Sequence, residues 1–360
     1  MTDRARVMHV HFWGDVRLQA GSVDKVIAAF AQMDEHDLDI MVACLGEGVE
    51  QRIGTARYCF FSEDRLTNRI ANKFLGLNLF TFSRLATLIE RERPDLLHVH
   101  NRHGLLGPLL GRLSYRPHVL CHYHRRFGNF VVPDAADGLV AVSHAVREAL
   151  IMATTTAKPV EVVYNPVPVG LGDAPARTAA VRPRLLYGGG RQQKKGFDEL
   201  EKALAGGLAN AFDIVLCGPE FDGYQPPFPA RVAGMLPSDA FLGELRQADV
   251  VVMPSHHEGF SILLLEALAM GRLVVATRCG GLGEILDDRN ALTVPVGDAV
   301  ALASGLQRAA ALFRPEHAEG LSEIQQQAKA SAAHFSVSAI NRRLAEVYRH
   351  FLSLPFEAKA

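Results

Sequence analysis

Two glutamates stand at the ends of an apolar stretch, EGFSILLLE, in which Glu258 is the first residue and Glu266 the last. The isoleucine, leucines and alanines around Glu266 predict a helix buried on nearly all sides, and therefore a buried carboxylate. Such a carboxylate is costly unless it accepts good hydrogen bonds, which a bound diol supplies. Eight helical positions correspond to about 12 Å of axial rise, so one extended ligand can contact both carboxylates.

The three residues between Glu258 and this helix indicate an anion site. Gly259, Phe260 and Ser261 open the helix, where backbone N–H groups and the positive end of the helix dipole favour a phosphate. An acid, an anion site and a second acid describe a ligand with hydroxyl groups at both ends and phosphate between them. The alternative is a solvated loop acid at Glu258 and a buried ion pair between Glu266 and an arginine from elsewhere.

A glycine turn followed by cations is the second candidate element. The segment YGGGRQQKKG places Gly190 and Arg191 directly after a predicted strand, and Lys194 and Lys195 before the next helix. Cations at the carboxyl end of a parallel strand can hold a diphosphate and stabilise it as a leaving group. The alternative is an exposed basic loop. The spacing matches neither the Walker loop nor the dinucleotide-binding glycine motif, which argues against kinases and dehydrogenases.

The elements that position these residues follow from hydrophobic patterning. Short apolar runs alternate with amphipathic segments, which is typical of repeated βα units with a parallel sheet. The Pro- and Gly-rich interval from Asn165 to Arg184 interrupts the alternation. We therefore predict an α/β protein with two doubly wound, Rossmann-like domains facing a central cleft. The predicted domains are 1–168 and 169–335, and a C-terminal helical segment, 336–360, is expected to pack back toward the N-terminal domain.

Composition indicates an ordinary globular protein. The chain has 360 residues, with 38 Lys and Arg against 39 Asp and Glu, and 48% of its residues are hydrophobic. This balance gives no indication of nucleic-acid binding. The five cysteines are widely spaced, which argues against a disulfide framework or a zinc site and favours a reducing cytoplasm. The N-terminus lacks a signal-peptide pattern, and no apolar run has the length that a membrane span requires.

Three segments in combination resemble the group 1 glycosyltransferases, or glycosyltransferase family 4, which are retaining enzymes of the GT-B fold. PSHHEGFSILLLEALAMG is similar to the E-x7-E signature of that family, GGGRQQKKG to its diphosphate motif, and ATRCGGLGEIL to its V-x-A-T-x-x-G-G-x-x-E-I block. Weaker similarities in PDLLHVHNRHG, GLVAVSHAVREAL and VVYNPVP extend the resemblance over most of the chain.

The resemblance implies a nucleotide-diphosphate-sugar donor held mainly by the C-terminal domain and an acceptor held mainly by the N-terminal domain. It places Glu258 at the hydroxyls of the donor sugar, Glu266 at the ribose, and Arg191 with Lys195 at the diphosphate. The remaining residues expected to bind the donor are Gly190, Gly259, Phe260, Ser261 and Ile262. The donor is a substrate, so no cofactor is expected, and the cations make a metal ion unnecessary. We interpret Asp37–Asp39 as a solvated strand entry and not as a metal-binding D-x-D motif.

The family also places a histidine at the end of an N-terminal strand, facing the donor sugar. The segment CHYHRR offers His122 and His124, and its similarity to the T-x-H of the family favours His124 as the catalytic residue. A packing or surface role is the alternative for a lone histidine. At the end of a neighbouring predicted strand, we expect His100 to line the cleft and His98 to pack on the opposite face.

The acceptor side is expected to be basic. Residues 62–126 contain 11 Lys and Arg against 5 Asp and Glu, interleaved with Phe and Leu, which suits an anionic membrane surface or a phosphorylated glycolipid. An ordinary amphipathic helix packed on the sheet is the alternative. Arg125 and Arg126 can contact an acidic acceptor directly, and Gly21 with Ser22 can approach a phosphate at the start of the first helix.

These features predict a retaining, metal-independent hexosyltransferase. We expect it to move a hexose from a nucleotide-diphosphate sugar, a UDP-sugar rather than a GDP-sugar, to a hydroxyl of a glycan or glycolipid in lipopolysaccharide or cell-surface polysaccharide biosynthesis. The expected location is the cytoplasm, including the inner face of the cell membrane. Two alternatives stay open: a sugar-nucleotide epimerase of the same fold, and a non-catalytic protein that binds a nucleotide sugar.

Overall fold

The chain folds into two compact units. The N-terminal unit comprises Met1–Tyr164 and Val337–Ala360, and the C-terminal unit comprises Asn165–Ser336. Residues 62–78, which are the first part of the basic stretch, and most of the predicted linker lie outside the part of the chain that the structure describes. The computed structural model describes residues 4–11, 16–18, 21–46, 48–61, 79–101, 103–125, 130–154, 156–168, 171 and 182–353.

Within the described residues, an eight-stranded sheet forms the centre of the N-terminal unit. Its strands are β1 Ala5–His11, β2 Leu38–Leu45, β3 Gln51–Ile53, β4 Ala56–Phe61, β5 Leu96–His100, β6 His118–Tyr123, β7 Gly138–Ala141 and β8 Val160–Val162. They lie in the order β3-β4-β2-β1-β5-β6-β7-β8, and β3 alone pairs in an antiparallel manner. Strands β5 and β6 are buried along their whole length, because helices cover the sheet on both faces.

Helices from both ends of the sequence pack on this sheet. They are α1 Ser22–Phe30, α2 Leu79–Glu92, α3 Leu106–Leu110, α4 His144–Thr154 and, from the C-terminal segment, α10 Val337–Leu352. Several contacts attach α10 to the unit. Among them, Asn341 Nδ2 donates to the carbonyl of Ala29 at 3.0 Å, and Arg349 pairs with Asp37 and Glu35 at 2.7 Å. Asp37 is therefore ion-paired with a distant helix rather than simply solvated.

This ion pair makes a pH-dependent contribution to stability. The Arg349 guanidinium lowers the pKa of the Asp37 carboxyl to about 2. A lowered carboxyl pKa stabilises the folded state above the unfolded pKa, and this stabilisation is lost as the pH falls toward 2. We expect Arg349→Met to cost about 1 kcal/mol at pH 7, since the pair is partly exposed, and to cost progressively less between pH 4 and pH 2.

Urea unfolding of the wild type and the variant across this pH range measures the effect. Arg342→Met is the matched control, because Arg342 lies on the same helix and makes no ion pair among the residues that the structure describes. A stability difference that does not change between pH 7 and pH 2 would contradict the assignment to Asp37.

In the described part of the C-terminal unit, a six-stranded parallel sheet has the order β11-β10-β9-β12-β13-β14. Its strands are β9 Arg184–Tyr187, β10 Asp213–Cys217, β11 Arg231–Gly234, β12 Val250–Met253, β13 Leu273–Thr277 and β14 Leu292–Val294. Its helices are α5 Phe197–Leu204, α6 Ser238–Gln247, α7 Ile262–Ala269, α8 Ala299–Leu312 and α9 Ala318–Ala333. One hydrophobic core contains buried apolar side chains of β9, β10, β12 and β13, which pack against those of α5 and α8.

Both units are thus Rossmann-like, with parallel sheets between helices, which confirms the predicted α/β class. All five cysteines are buried free thiols. Among the described helices, none combines the length and the apolar character that crossing a bilayer would require.

Candidate functional site

The predicted buried glutamate lies on α7. Apolar side chains cover the helix on nearly all sides, and Glu266 is 1% exposed, as the sequence predicts. Ser261 is the N-cap, and its hydroxyl accepts from the amide of Leu264 at 3.4 Å. The cap defines where the helix begins, and it directs the N-terminal end of α7 toward the loop that carries Glu258.

Glu258 and Lys195, which are far apart in sequence, meet in an ion pair. Lys195 Nζ lies 2.6 Å from Glu258 Oε1, and Ser255 donates its hydroxyl to the same carboxylate oxygen at 2.9 Å. The Glu258 side chain is 11% exposed and that of Lys195 is 30% exposed. The basic loop after β9 and the acidic loop after β12 therefore form one charged cluster at the carboxyl ends of adjacent strands, where parallel sheets bind ligands.

A close backbone approach joins these two loops. Gly196 has a φ of +70°, and a Cβ at this position would lie 1.9 Å from the carbonyl oxygen of Pro254. His256 also donates its amide to the carbonyl of Lys194 at 2.9 Å. Only glycine permits both the left-handed conformation and this distance. Gly196 therefore allows the two loops to approach each other, and this approach brings the ammonium of Lys195 to Glu258.

The glycine turn after β9 is held by a tyrosine. Tyr187 donates its hydroxyl to the carbonyl of Gly190 at 2.9 Å, and burial, followed by the charge of Glu258, raises the pKa of Tyr187 so that it stays a donor. Arg191 is exposed, and its guanidinium stacks over the ring of Tyr224 at 4.4 Å. The exposed cation next to the turn is available to an anionic ligand.

Two carbonyl groups of the loop before α7 accept hydrogen bonds from other segments of the C-terminal unit. The carbonyl of Glu258 accepts from the amide of Gly281 at 3.3 Å, and that of Phe260 accepts from Asn165 Nδ2 at 2.8 Å. These bonds fix the path of the loop that also contains Gly259 and Ser261. No role was predicted for Asn165, Ser255 or Gly281, although Asn165 lies in the VVYNPVP segment and Gly281 in ATRCGGLGEIL.

The N-terminal histidines are more deeply buried than expected. We expected His100 and His122 to line the cleft, but both side chains are 0% exposed. His98 does not face away from His100, because their rings stack with centroids 4.4 Å apart. His124 is partly buried and Arg125 is exposed, while Arg126 lies outside the described residues.

The carboxylate of Asp24 already occupies the start of α1. The amide of Gly21 donates to Asp24 Oδ2 at 2.9 Å, and Asp24 Oδ1 lies 3.1 Å from His11 Nδ1. A phosphate at Gly21 and Ser22 would have to displace this carboxylate or approach it against charge repulsion. The structure thus speaks against the phosphate role expected for these two residues.

Two kinds of metal-ligand groups come together among the described residues. One set consists of histidines on the N-terminal sheet, and the other consists of Glu50, Cys59 and Glu92. The carboxylates of the second set are paired with Arg57 and Arg91. These arginines neutralise the charge that would attract a cation.

Comparison with known proteins agrees with this architecture. The family model described as Glycosyltransferase Family 4 matches residues 22–171, and that described as Glycosyl transferases group 1 matches residues 182–311. The structure of sucrose-phosphate synthase from Thermosynechococcus elongatus aligns over 97% of this chain and 100% of that chain, with a TM-score of 0.75 and 18% identity. Anabaena HepE in complex with UDP and glucose aligns over 96% and 100%, with a TM-score of 0.70 and 16% identity.

Sequence relatives match over shorter segments. D-inositol 3-phosphate glycosyltransferase of Saccharomonospora viridis is 40% identical over 30% of this chain and 24% of its own. 2-Deoxystreptamine N-acetyl-D-glucosaminyltransferase of Streptomyces fradiae is 27% identical over 60% and 63%, and the putative colanic acid biosynthesis glycosyltransferase WcaL of Escherichia coli is 34% identical over 34% and 32%. The matches thus span less than two thirds of the length of these relatives.

The two parallel-sheet units and the solved neighbours define the class as GT-B proteins. Within that class, the two family models, which together match more than half of the chain, show that it belongs to the group 1 glycosyltransferases of family 4.

Proposed function

We propose that this protein transfers a hexose from a nucleotide-diphosphate sugar to a hydroxyl group of a glycan or glycolipid. The observation that carries the proposal is the Lys195–Glu258 ion pair, which lies at the carboxyl ends of two parallel strands, next to a capped helix that buries a second glutamate. These groups, a cation, an acid, a helix N-terminus and a second acid, match the phosphates, the sugar hydroxyls and the ribose hydroxyls that a nucleotide sugar presents.

Both members of the ion pair would exchange their partner when the donor binds. Lys195 would release the Glu258 carboxylate and bind a phosphate oxygen, and the carboxylate would accept hydrogen bonds from hydroxyls of the donor sugar. Arg191, exposed next to Gly190, would bind the second phosphate. Ser255 would keep Glu258 in place during the exchange, because its hydroxyl donates to Glu258 independently of the lysine.

The mechanism proposed is front-face transfer with retention. The bond between the anomeric carbon and the diphosphate oxygen breaks, and the acceptor hydroxyl loses its proton toward the departing phosphate as the new glycosidic bond forms. The leaving diphosphate gains negative charge, which Lys195, Arg191 and the end of α7 stabilise without a metal ion. His124 would contact the donor sugar.

We favour UDP-hexose donors and cell-surface polysaccharide or lipopolysaccharide acceptors. The UDP-bound HepE neighbour and the colanic acid relative support this choice. The basic segment of residues 62–126, together with Arg125 and Arg126, would receive an acidic acceptor or contact an anionic leaflet from the cytoplasmic side. Salt-sensitive sedimentation with anionic vesicles, but not with neutral ones, tests the membrane contact.

A donor screen tests the proposal directly. Since a ligand that binds only the folded state raises its stability with concentration, UDP-glucose and related UDP-hexoses are expected to raise the melting temperature more than GDP- or ADP-sugars. Glu258→Gln is expected to reduce the shift given by UDP-glucose more than the shift given by UDP, because only the former presents sugar hydroxyls. An equal reduction for both ligands would contradict the place given to Glu258.

Product analysis separates the proposal from its two alternatives. A glycosyltransferase without acceptor gives at most slow hydrolysis of the donor, an epimerase converts the donor alone into a new sugar nucleotide, and a binding protein leaves it unchanged. Transfer that depends on an added acceptor, with an α-linked product from an α-linked donor, is the expected result.

A further inference from the structure

Three H-x-H segments lie side by side in the N-terminal unit. His9 and His11 end β1, His98 and His100 end β5, and His122 and His124 follow the same spacing on and after β6. The register pairs His9 with His98, His11 with His100, and His100 with His122 across these parallel neighbours. Because residues two apart share a face of a strand, the side chains collect on one face of the sheet.

Five of these histidines and one tyrosine form a continuous hydrogen-bonded chain. Tyr348, on α10, is 0% exposed and lies in its middle. The bonds, in order, are His122 Nδ1 to His98 Nε2 at 3.1 Å, His98 Nδ1 to Tyr348 Oη at 2.6 Å, Tyr348 Oη to His9 Nε2 at 3.2 Å, His9 Nδ1 to His100 Nε2 at 3.0 Å and His100 Nδ1 to His124 Nε2 at 3.0 Å. This set of six side chains is called the histidine chain below.

Burial keeps the histidine chain neutral. It lowers the pKa of His9 and of His124 to about 3, and the pKa values of the other three histidines lie well below the usual range for the same reason. A neutral imidazole has one N–H donor and one acceptor nitrogen. Every histidine that uses both nitrogens must therefore donate on one side and accept on the other, so all bonds run in the same direction.

The tyrosine does not interrupt this direction. Its hydroxyl has two histidine partners, and if both donated to the oxygen, the buried O–H would be left without an acceptor. Tyr348 therefore accepts from one neighbour and donates to the other, because a buried unsatisfied donor is costly. The complete chain has only two arrangements, one donating toward His124 and one donating toward His122.

The ends of the histidine chain distinguish the two arrangements. His122 Nε2 is buried and has no hydrogen-bond partner among the described residues. Donation toward His122 would place an unpaired N–H there, whereas donation toward His124 leaves only an unpaired acceptor, which proteins tolerate better. At the other end, His124 is partly exposed, so its Nδ1–H can meet water or a ligand.

A metal ion explains the same histidines less well. Two triads, His9 with His98 and His100, and His100 with His122 and His124, have ligand atoms within 4.8 Å of one another. Yet the nitrogens already pair with one another at hydrogen-bond distance, and the positive charge of Arg125 acts on His124. The ligand atoms of both triads are histidine nitrogens only, so no ligand would offset the charge of a buried divalent cation.

We propose that the histidine chain is uniformly directed toward His124, so that all five histidines carry their proton on Nδ1 and His124 presents an N–H at the partly exposed end. His100 and, through it, His9 are then positioning residues for His124. The link from His124 to catalysis rests on the proposed function; the direction of the chain does not.

The direction can be read in the protein without substrate. Long-range nitrogen–proton NMR spectra distinguish the two imidazole tautomers, and single His→Phe variants assign the signals. We expect the Nδ1–H tautomer for all five histidines. A proton on Nε2 of His9, His100 or His124, a doubly protonated ring among the five, or zinc retained by the purified protein would overturn the proposal.

Tyr348→Phe tests the chain by removing one oxygen atom. In this variant His98 and His122 bond only to each other. Whichever of the two donates, one N–H is left unpaired, so neither direction is favoured and we expect both histidines to be mixtures of tautomers. His9, His100 and His124 should stay in the Nδ1–H form. Tyr115→Phe, which removes a hydroxyl bonded only to backbone carbonyls, should change none of the five. Tautomer mixtures at His124 in Tyr348→Phe would contradict the directional argument.

Kinetics test the positioning role. His100→Phe keeps a stacked ring but releases His124, and we expect kcat to fall about tenfold or more with little change in the KM for the donor. Tyr348→Phe, which leaves the bond between His100 and His124 intact, should keep most of the kcat. Unchanged kcat in His100→Phe, with the expected tautomers in the wild type, would refute the positioning role of His100 and leave the direction of the chain standing.

Discussion

Lys195→Met is expected to lower kcat by about 10²- to 10³-fold, the range found when one preorganised donor to a developing negative charge is removed. In the free protein the ammonium lies 2.6 Å from Glu258, where it neutralises a largely buried carboxylate until the donor arrives. The variant therefore loses two things: the stabilisation of the leaving diphosphate, and the cation that keeps Glu258 neutralised in the empty site. Initial rates of donor consumption with a saturating acceptor measure the effect.

Lys194→Met provides the matched control. Lys194 is the adjacent residue and has the same charge, but its side chain is exposed and its bond to His256 uses only the backbone carbonyl. We expect at least half of the wild-type kcat. Equal losses in the two variants would show that the net charge of the loop, and not the position of Lys195, matters, and this would remove the main support for the donor site.

Gly196→Ala is expected to destabilise the protein by about 3 kcal/mol or more. Two costs add at this position. The φ of +70° disfavours an alanine, and its Cβ would lie 1.9 Å from the carbonyl oxygen of Pro254, so that the backbone of one loop has to move. The movement would separate Lys195 from Glu258, and the thermal shift induced by UDP-glucose should be lost as well.

Gly206→Ala separates these two costs. Gly206 has a nearly identical φ of +69°, but an added Cβ would meet nothing within 4 Å. We expect a loss of about 1 kcal/mol from the backbone conformation alone. Urea unfolding at constant m-value gives both differences. If the two variants were equally destabilised, the contact between Gly196 and Pro254 would have no energetic role.

The C-terminal unit was the easier half to predict because its signals are local in sequence. The apolar run around Glu266 requires a buried helix whatever the rest of the chain does, and the structure has that glutamate 1% exposed. Gly190, Arg191 and Lys195 lie in the loop that follows β9, so their place at the carboxyl end of that strand depends on a few residues only. Ser255 was missed, because its contact with Glu258 depends on the turn that the loop takes after β12.

The histidines show where prediction from sequence failed. The H-x-H spacing at His98 and His100 implies a common face on a regular strand, yet one of the two was expected to face away. No local pattern indicates that His9, 91 positions away from His100, bonds to it. The third partner, Tyr348, comes from the other end of the chain. These contacts depend on strand order, which parallel sheets do not encode locally.

By itself, the sequence determined the α/β class, the buried glutamate, the charged loops and the family, because periodicity and short motifs express local physics. The tertiary structure alone decided which charges meet and which histidines are bonded. Lys195 and Glu258 belong to loops that only the adjacency of β9 and β12 brings together. The histidine chain requires three strands and a C-terminal helix to be in place at once, since a hydrogen bond depends on distances of about 3 Å that no spacing in the sequence specifies.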